Sequence, residues 1–244
     1  MNTRSKLLTA ALACLAAGAF TSLAHAEEPG RGLTARFEIA YLKMIADHHL
    51  SALRMTELAA GTDLARDPAI SPEEGTSPSP HFAAVQAKAQ SPELKSLARR
   101  NNRMQREEIL TALGFLHDWY GIQYQPRIDR RAQAQIALLE RTQSGERFDH
   151  VFMEVLSRHH YLALVPSVKC QVSVELEHHM LQRYCSGIVH GQINDISDMR
   201  EMLCRDFSIC DYQPLVGLKG RHTGSEGHTL LDADSNVELS LTSE

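Results

Sequence analysis

Two adjacent histidine pairs, His48-His49 and His159-His160, are the residues of this 244-residue sequence best suited to chemistry. The first pair sits in Met44-Ile-Ala-Asp-His-His-Leu-Ser-Ala-Leu-Arg-Met55, so a thioether stands on either side of an imidazole at helical spacing. Imidazole nitrogen with thioether sulfur is a donor set for copper, and methionine favours the softer Cu(I) ion. On a helical wheel Tyr41, Met44, Ile45, His48, Ala52, Met55 and Ala59 share about one-third of the circumference, while Lys43, Asp47, Ser51, Arg54 and Glu57 point away. His49 is turned about 100° from His48, to the edge of the apolar stripe. The same residues admit a second account, in which the histidines are core groups satisfied by hydrogen bonds. Gln105 and Gln192 stand mid-stripe on two other helical segments at about the same level, and a Gln–His bond across a bundle would satisfy both partners. On the residues alone, metal site and polar core both stay open.

Other chemistries have less behind them. A ferritin-type di-iron site needs two Glu-x-x-His motifs and two further inward glutamates, and only Glu175-Leu-Glu-His178 has that spacing. The sequence holds no glycine-rich phosphate loop, no nucleophile elbow and no Cys-x-x-Cys. No catalytic residue is assigned, and a binding protein rather than an enzyme is expected. In His178-His179-Met180, His178 lies on the inward stripe and His179 is turned outward; together with His190 the cluster reads as surface histidine with at most opportunistic metal affinity. The formal charge of −5 argues against a nucleic-acid partner.

The elements that must position the histidines can be read outward from them. Arg4 and Lys6, an apolar run over 7–23 and the small residues of Ala24-His25-Ala26 make residues 1–26 a secretory signal peptide. The mature chain is then secreted or periplasmic, and no later apolar run is long enough to hold it in a membrane. Thr34 is the expected N-cap of a helix over 35–60 that ends near Gly61. Residues 61–92, rich in proline, serine and glycine, are expected to form a surface loop. A second helix over 92–119 carries the buried stripe Ala98, Asn101, Gln105, Ile109, Ala112 and Leu116. A short connecting helix over 130–143 comes after the break at Gly121 and Pro126.

Then the pattern repeats. Phe148 to Ala163 aligns with Phe37 to Ala52 at a constant offset of 111, His-His on His-His, and Gln192-Ile-Asn-Asp-Ile196 answers Gln105-Arg-Glu-Glu-Ile109 at an offset of 87. In the second copy Val155 and Pro166 stand where Met44 and Met55 stood. The expected fold is therefore all-α: a four-helix bundle of two duplicated antiparallel hairpins, 35–119 and 147–204, in one domain over 27–216 with a flexible tail over 217–244. Antiparallel register that sets His159 level with Gln192 also brings Cys170 level with Cys185. That pair is an expected disulfide, with Cys204–Cys210 tying the last helix to the segment after it.

Met-x3-His-His-x2-Ala-x2-Met, with Gln-x2-Glu-Ile on the next helix, resembles the DUF305 family. The residues that carry the resemblance are Met44, His48, His49, Ala52, Met55, Gln105, Glu108 and Ile109. In the second hairpin they are His159, His160, Ala163, Gln192 and Ile196, with Asp195 for Glu. The resemblance implies an exported, ferritin-like helical bundle and, for some members, a link to copper binding and tolerance. Combined with the residue reading, it points to copper held by Met44, His48, His49 and Met55, with His159 and His160 supplying the other side or a weaker site. Gln105, Glu108 and Gln192 would orient the imidazoles from behind. The alternative is a partner-binding or stress-related bundle in which the histidines are a polar core.

Overall fold

A computed structural model of the chain describes residues 33–62, 78–174 and 176–211. The expected signal peptide, residues 63–77 and the expected tail lie outside them. Among the described residues there are five helices and no strand: α1 (Leu33–Ala60), α2 (Pro92–Tyr120), α3 (Arg130–Arg141), α4 (Glu146–Val172) and α5 (His179–Phe207).

Local chemistry sets the helix ends. The Ser91 hydroxyl accepts from the Leu94 amide at 3.2 Å ahead of α2, Pro92 fills a first-turn position that needs no amide, and Glu93 complements the helix dipole. Asp129 caps α3 the same way, accepting from the Ala132 amide at 2.7 Å. Thr34 does not cap α1, because the helix already includes Leu33. Gly61 ends α1 at φ +80°, and a Cβ there would stand 2.9 Å from the Ala87 backbone nitrogen. Both the left-handed backbone and the close approach require glycine.

The two expected hairpins are present, and each long helix runs antiparallel to its hairpin partner. Asn102 donates to the Leu53 carbonyl and the Thr56 hydroxyl, and Tyr120 reaches Glu38, which sets α2 against α1. Cys170–Cys185, with Cα atoms 5.9 Å apart, and Ser157 donating to Met199 Sδ at 3.6 Å set α4 against α5. Tyr41 with Ser167, 3.0 Å apart, joins α1 to α4. The second disulfide, Cys204–Cys210, closes the end of α5. Both pairings are the expected ones.

The outward face of α1 differs from expectation. Ser51, Arg54 and Glu57 are buried rather than solvated. Residues 78–91, expected to be part of a surface loop, lie along this face: Lys88 donates its amide to the Leu58 carbonyl, and Ala89 is buried. Glu57 accepts from the Ser79 hydroxyl at 2.6 Å and faces Arg54 and Arg106. Arg54 also reaches the Ala83 carbonyl and Glu140 of α3. A wheel assigns every polar residue to water, whereas here a charged network supplies the partners that burial demands.

The apolar interior is split in two. One cluster holds Met55, Leu58, Leu97, Phe148, Phe152, Met153, Met199 and Met202; the other holds Tyr41, Ile45, Leu116, Ala163, Leu181 and the Cys170–Cys185 bridge. The turns between them, near 47–51, 101–109, 157–160 and 192–196, bring polar side chains into the bundle. That layer contains both histidine pairs.

Candidate functional site

His48 and His159 occupy matching positions of the duplicated sequence, and the fold stacks them face to face. Their ring centroids are 3.8 Å apart and their planes 6° from parallel. The Nε2 of His159 lies 3.1 Å from the His48 carbonyl oxygen and its Nδ1 lies 3.1 Å from the Gln135 side-chain oxygen. A neutral imidazole has one donor, and the carbonyl can only accept, so Nε2 carries the proton. Nδ1 must then accept, which requires the Gln135 amide to present its NH2 instead. His48 Nε2 is buried and meets no hydrogen-bonding partner among the described residues, although the residue as a whole is half-buried.

The outer members of the pairs are matched as well. His49, expected at the edge of the stripe, is fully buried with Nε2 3.0 Å from a Glu108 oxygen. His160, also fully buried, has Nδ1 3.7 Å from Asp195. Glu108 and Asp195 correspond under the offset of 87, so each half of the chain sets a carboxylate against the second histidine of its pair. Gln105 donates to His160 Nε2 at 3.2 Å and also bonds Asn101. It does not pair with His48 as the level argument suggested. The reason is rotational: the stack turns His48 toward α4, and the glutamine meets the histidine diagonal to it. Gln192 is buried with its oxygen unpartnered among the described residues.

Burial sets the proton balance of this layer. It pushes His159 down to about 4, opposed by the bond to the His48 carbonyl, and holds His48 and His160 well below the ordinary imidazole value, reinforced by neighbouring histidines. The same burial raises Asp195 to about 7, against a hydrogen bond from Asn101. Near neutral pH, His48, His159 and His160 are therefore uncharged, the state in which an imidazole offers a lone pair.

The methionines sit on opposite sides of the layer. Met44 packs against one apolar cluster and Met55 is fully buried in the other. Among the described residues no group of three or more His, Cys, Asp and Glu side chains already converges as a cation cage.

A second polar cluster was not foreseen from the sequence. His178, read on the inward stripe but grouped with surface histidines, is fully buried with Nδ1 2.6 Å from the equally buried Glu38, and it stacks on Trp119 at 4.0 Å. Glu38 also accepts from the Glu177 and His178 amides. Position 38 lies on the inward side of α1, three residues before Tyr41, which was the available signal. His179, Met180 and His190 are exposed as expected.

No helix among the described residues is long and apolar enough to cross a membrane. No curated protein matches the chain. Among solved structures, CopM in the Cu(II)-bound form matches with a TM-score of 0.50 at 20% identity, covering 67% of this chain and 93% of that one. CopM in the Ag-bound form matches with a TM-score of 0.51 at 20% identity, covering 70% and 97%. At that identity the likeness is one of fold. The family model described as "Domain of unknown function (DUF305)" matches residues 82–203, from the segment before α2 through most of α5. The matched stretch omits α1 and its Met44–Met55 sequence but contains His159, His160, Gln105, Glu108 and Gln192. The chain belongs to the DUF305 family.

Proposed function

We propose that this protein is an exported copper-binding protein that holds the ion in its histidine layer and carries out no catalysis. The observation that carries the reading is the meeting of two His-His pairs in one buried layer, where His48 Nε2 and His49 Nδ1 lack hydrogen-bonding partners among the described residues. A buried polar atom left unmet costs about 1–3 kcal/mol, a cost that ligation would remove. The donor chemistry fits: neutral imidazoles and thioethers are ligands for copper. His48 and His49 of α1 would hold the ion, with His159 and His160 of α4 opposite and a thioether from one side only, since Met44 and Met55 lie about 16 Å apart along the helix axis and cannot share one ion, while Gln105, Glu108 and Gln192 orient the rings. Binding requires His159 to exchange its present contacts with Gln135 and the His48 carbonyl. The fold likeness to CopM, whose structures hold Cu(II) and silver, supports the same reading. Export is supported by the apolar leader with its small-residue cleavage site, and by two disulfides of the kind that persist in oxidising compartments.

A specific observation favours the polar-core reading. Both His159 nitrogens have partners, and Gln105 bridges to His160, as a histidine layer serving packing alone would have it. Titrating the mature protein with Cu(I) against a competing chelator separates the two. The expected result is binding at least about tenfold tighter than that of a His48→Ala/Met55→Ala variant, a difference of about 1.4 kcal/mol. Equal affinity of parent and variant would overturn the copper reading and leave the polar core.

A further inference from the structure

A cavity of about 250 Å³ opens where α2 and α4 begin and α5 ends. Its lining includes the thioether side chains of Met153 and Met202, each all but fully buried, and the carboxylates Glu146, Asp149 and Asp206. No lysine or arginine lines it among the described residues. Asp149 already accepts the Gln90 and Ser91 amides, one on each oxygen at 2.8 Å, and Asp206 is paired with Arg205, so the carboxylates are fixed in place. Glu146 is exposed beside them.

The order of donors is regular. Along α5 the residues Asp206, Met202, Met199 and Asp195 recur at three- and four-residue steps on one face. Along α4 the residues Asp149, Met153 and His160 do the same, at steps of four and seven. The carboxylates of Glu146 and Asp206 are exposed, whereas Asp149 and the two thioethers are buried. Methionine is commonly a core filler, and Met55 and Met199 are buried in the same cluster without lining the cavity. Met153 and Met202 differ in bordering open space on two facing helices.

We propose that this cavity is a second metal site, in which the thioethers of Met153 and Met202 ligate a soft monovalent cation, Cu(I) or Ag(I). The ion is drawn past Glu146, Asp149 and Asp206 by their charge and held by sulfur, since thioethers select soft ions over the hard cations that carboxylates attract. Met153 lies seven residues from His160, about 10 Å along the helix axis, so this site and the histidine layer are separate. Either can fail without the other.

Silver is the redox-inert probe. Full-length mature protein carrying [methyl-13C]methionine is titrated with Ag(I) in chloride-free buffer and followed by NMR, with single Met153→Leu and Met202→Leu variants assigning the two signals. The expected result is that both methyl signals shift together before those of the exposed Met104 and Met180. The Met153→Leu/Met202→Leu double variant should carry one Ag(I) fewer by native mass spectrometry. Leucine nearly conserves volume, and the parent titration alone already decides the point. A His48→Gln/His160→Gln variant should keep both methyl shifts, which separates this site from copper binding in the layer. Unmoved Met153 and Met202 signals, their loss in the histidine variant, or an unchanged Ag(I) count in the leucine variant would each overturn the proposal.

Discussion

His159 is held on several sides: stacked on His48, bonded through both nitrogens, and only 3% exposed. Burial holds its folded-state value at about 4, against about 6.5 in an unfolded chain. As pH falls through 6.5 the unfolded state takes up a proton that the folded state refuses until about 4. The contribution is therefore fully present above 6.5, is lost as pH falls toward 4, and is constant below. For the metal-free protein that loss is about 3 kcal/mol. Asp195, raised to about 7, has the opposite sign: it costs stability above pH 7 and relieves that cost as pH falls. A comparison isolates the histidine. Denaturant melts of parent and His159→Gln between pH 7.5 and 4 should differ by a stability gap that shrinks by about 3 kcal/mol toward the acid end. A gap independent of pH would mean that His159 titrates normally.

At the scale of elements, the second hairpin is held by two bridges of unequal reach. Cys170–Cys185 spans a separation of 15 residues and joins the end of α4 to the start of α5, while Cys204–Cys210 spans 6. By the loop-entropy argument the first contributes about 3 kcal/mol and the second about 2 kcal/mol. Urea unfolding of Cys170→Ala/Cys185→Ala and of Cys204→Ala/Cys210→Ala should show losses in that order. The reverse order would mean that native packing around the bridges outweighs loop closure. The first hairpin has no bridge. One end of it is tied instead by Glu38, which gathers His178, Tyr120 and the Glu177 amide.

At the scale of the molecule, α1 is the helix that the DUF305 match does not include, yet it contributes to both apolar clusters and to the histidine layer. Leu42, Ile45 and Met55 are fully buried, and each such side chain gives up about 1.5–3 kcal/mol when returned to water. A chain restricted to 78–211 would leave His159 without its stacking partner and α2 and α4 without their apolar cover. Such a fragment should show no cooperative thermal transition by circular dichroism. A sharp transition from a monomeric fragment would mean that the family-matched region folds without α1.

The residues that repeat explain how much of the fold and the site was legible in the sequence. The duplicated His-His and Gln-x2-[Glu/Asp]-Ile patterns, the 3.6-residue periodicity, the glycines at helix ends and the register of the cysteines are local or copied features. They determined the helices, the hairpins and both disulfides without reference to contacts. The tertiary structure decided what a wheel cannot express. It rotated His48 onto His159 rather than onto Gln105, and it buried His49 against Glu108. It laid residues 78–91 over the polar side of α1, so that Arg54 and Glu57 became interior, and it enclosed Glu38 with His178. Each of these depends on the azimuth of one helix relative to another and on segments distant in sequence. Periodicity identifies which stripe faces inward, but the partner across the bundle is chosen only when all the helices pack together.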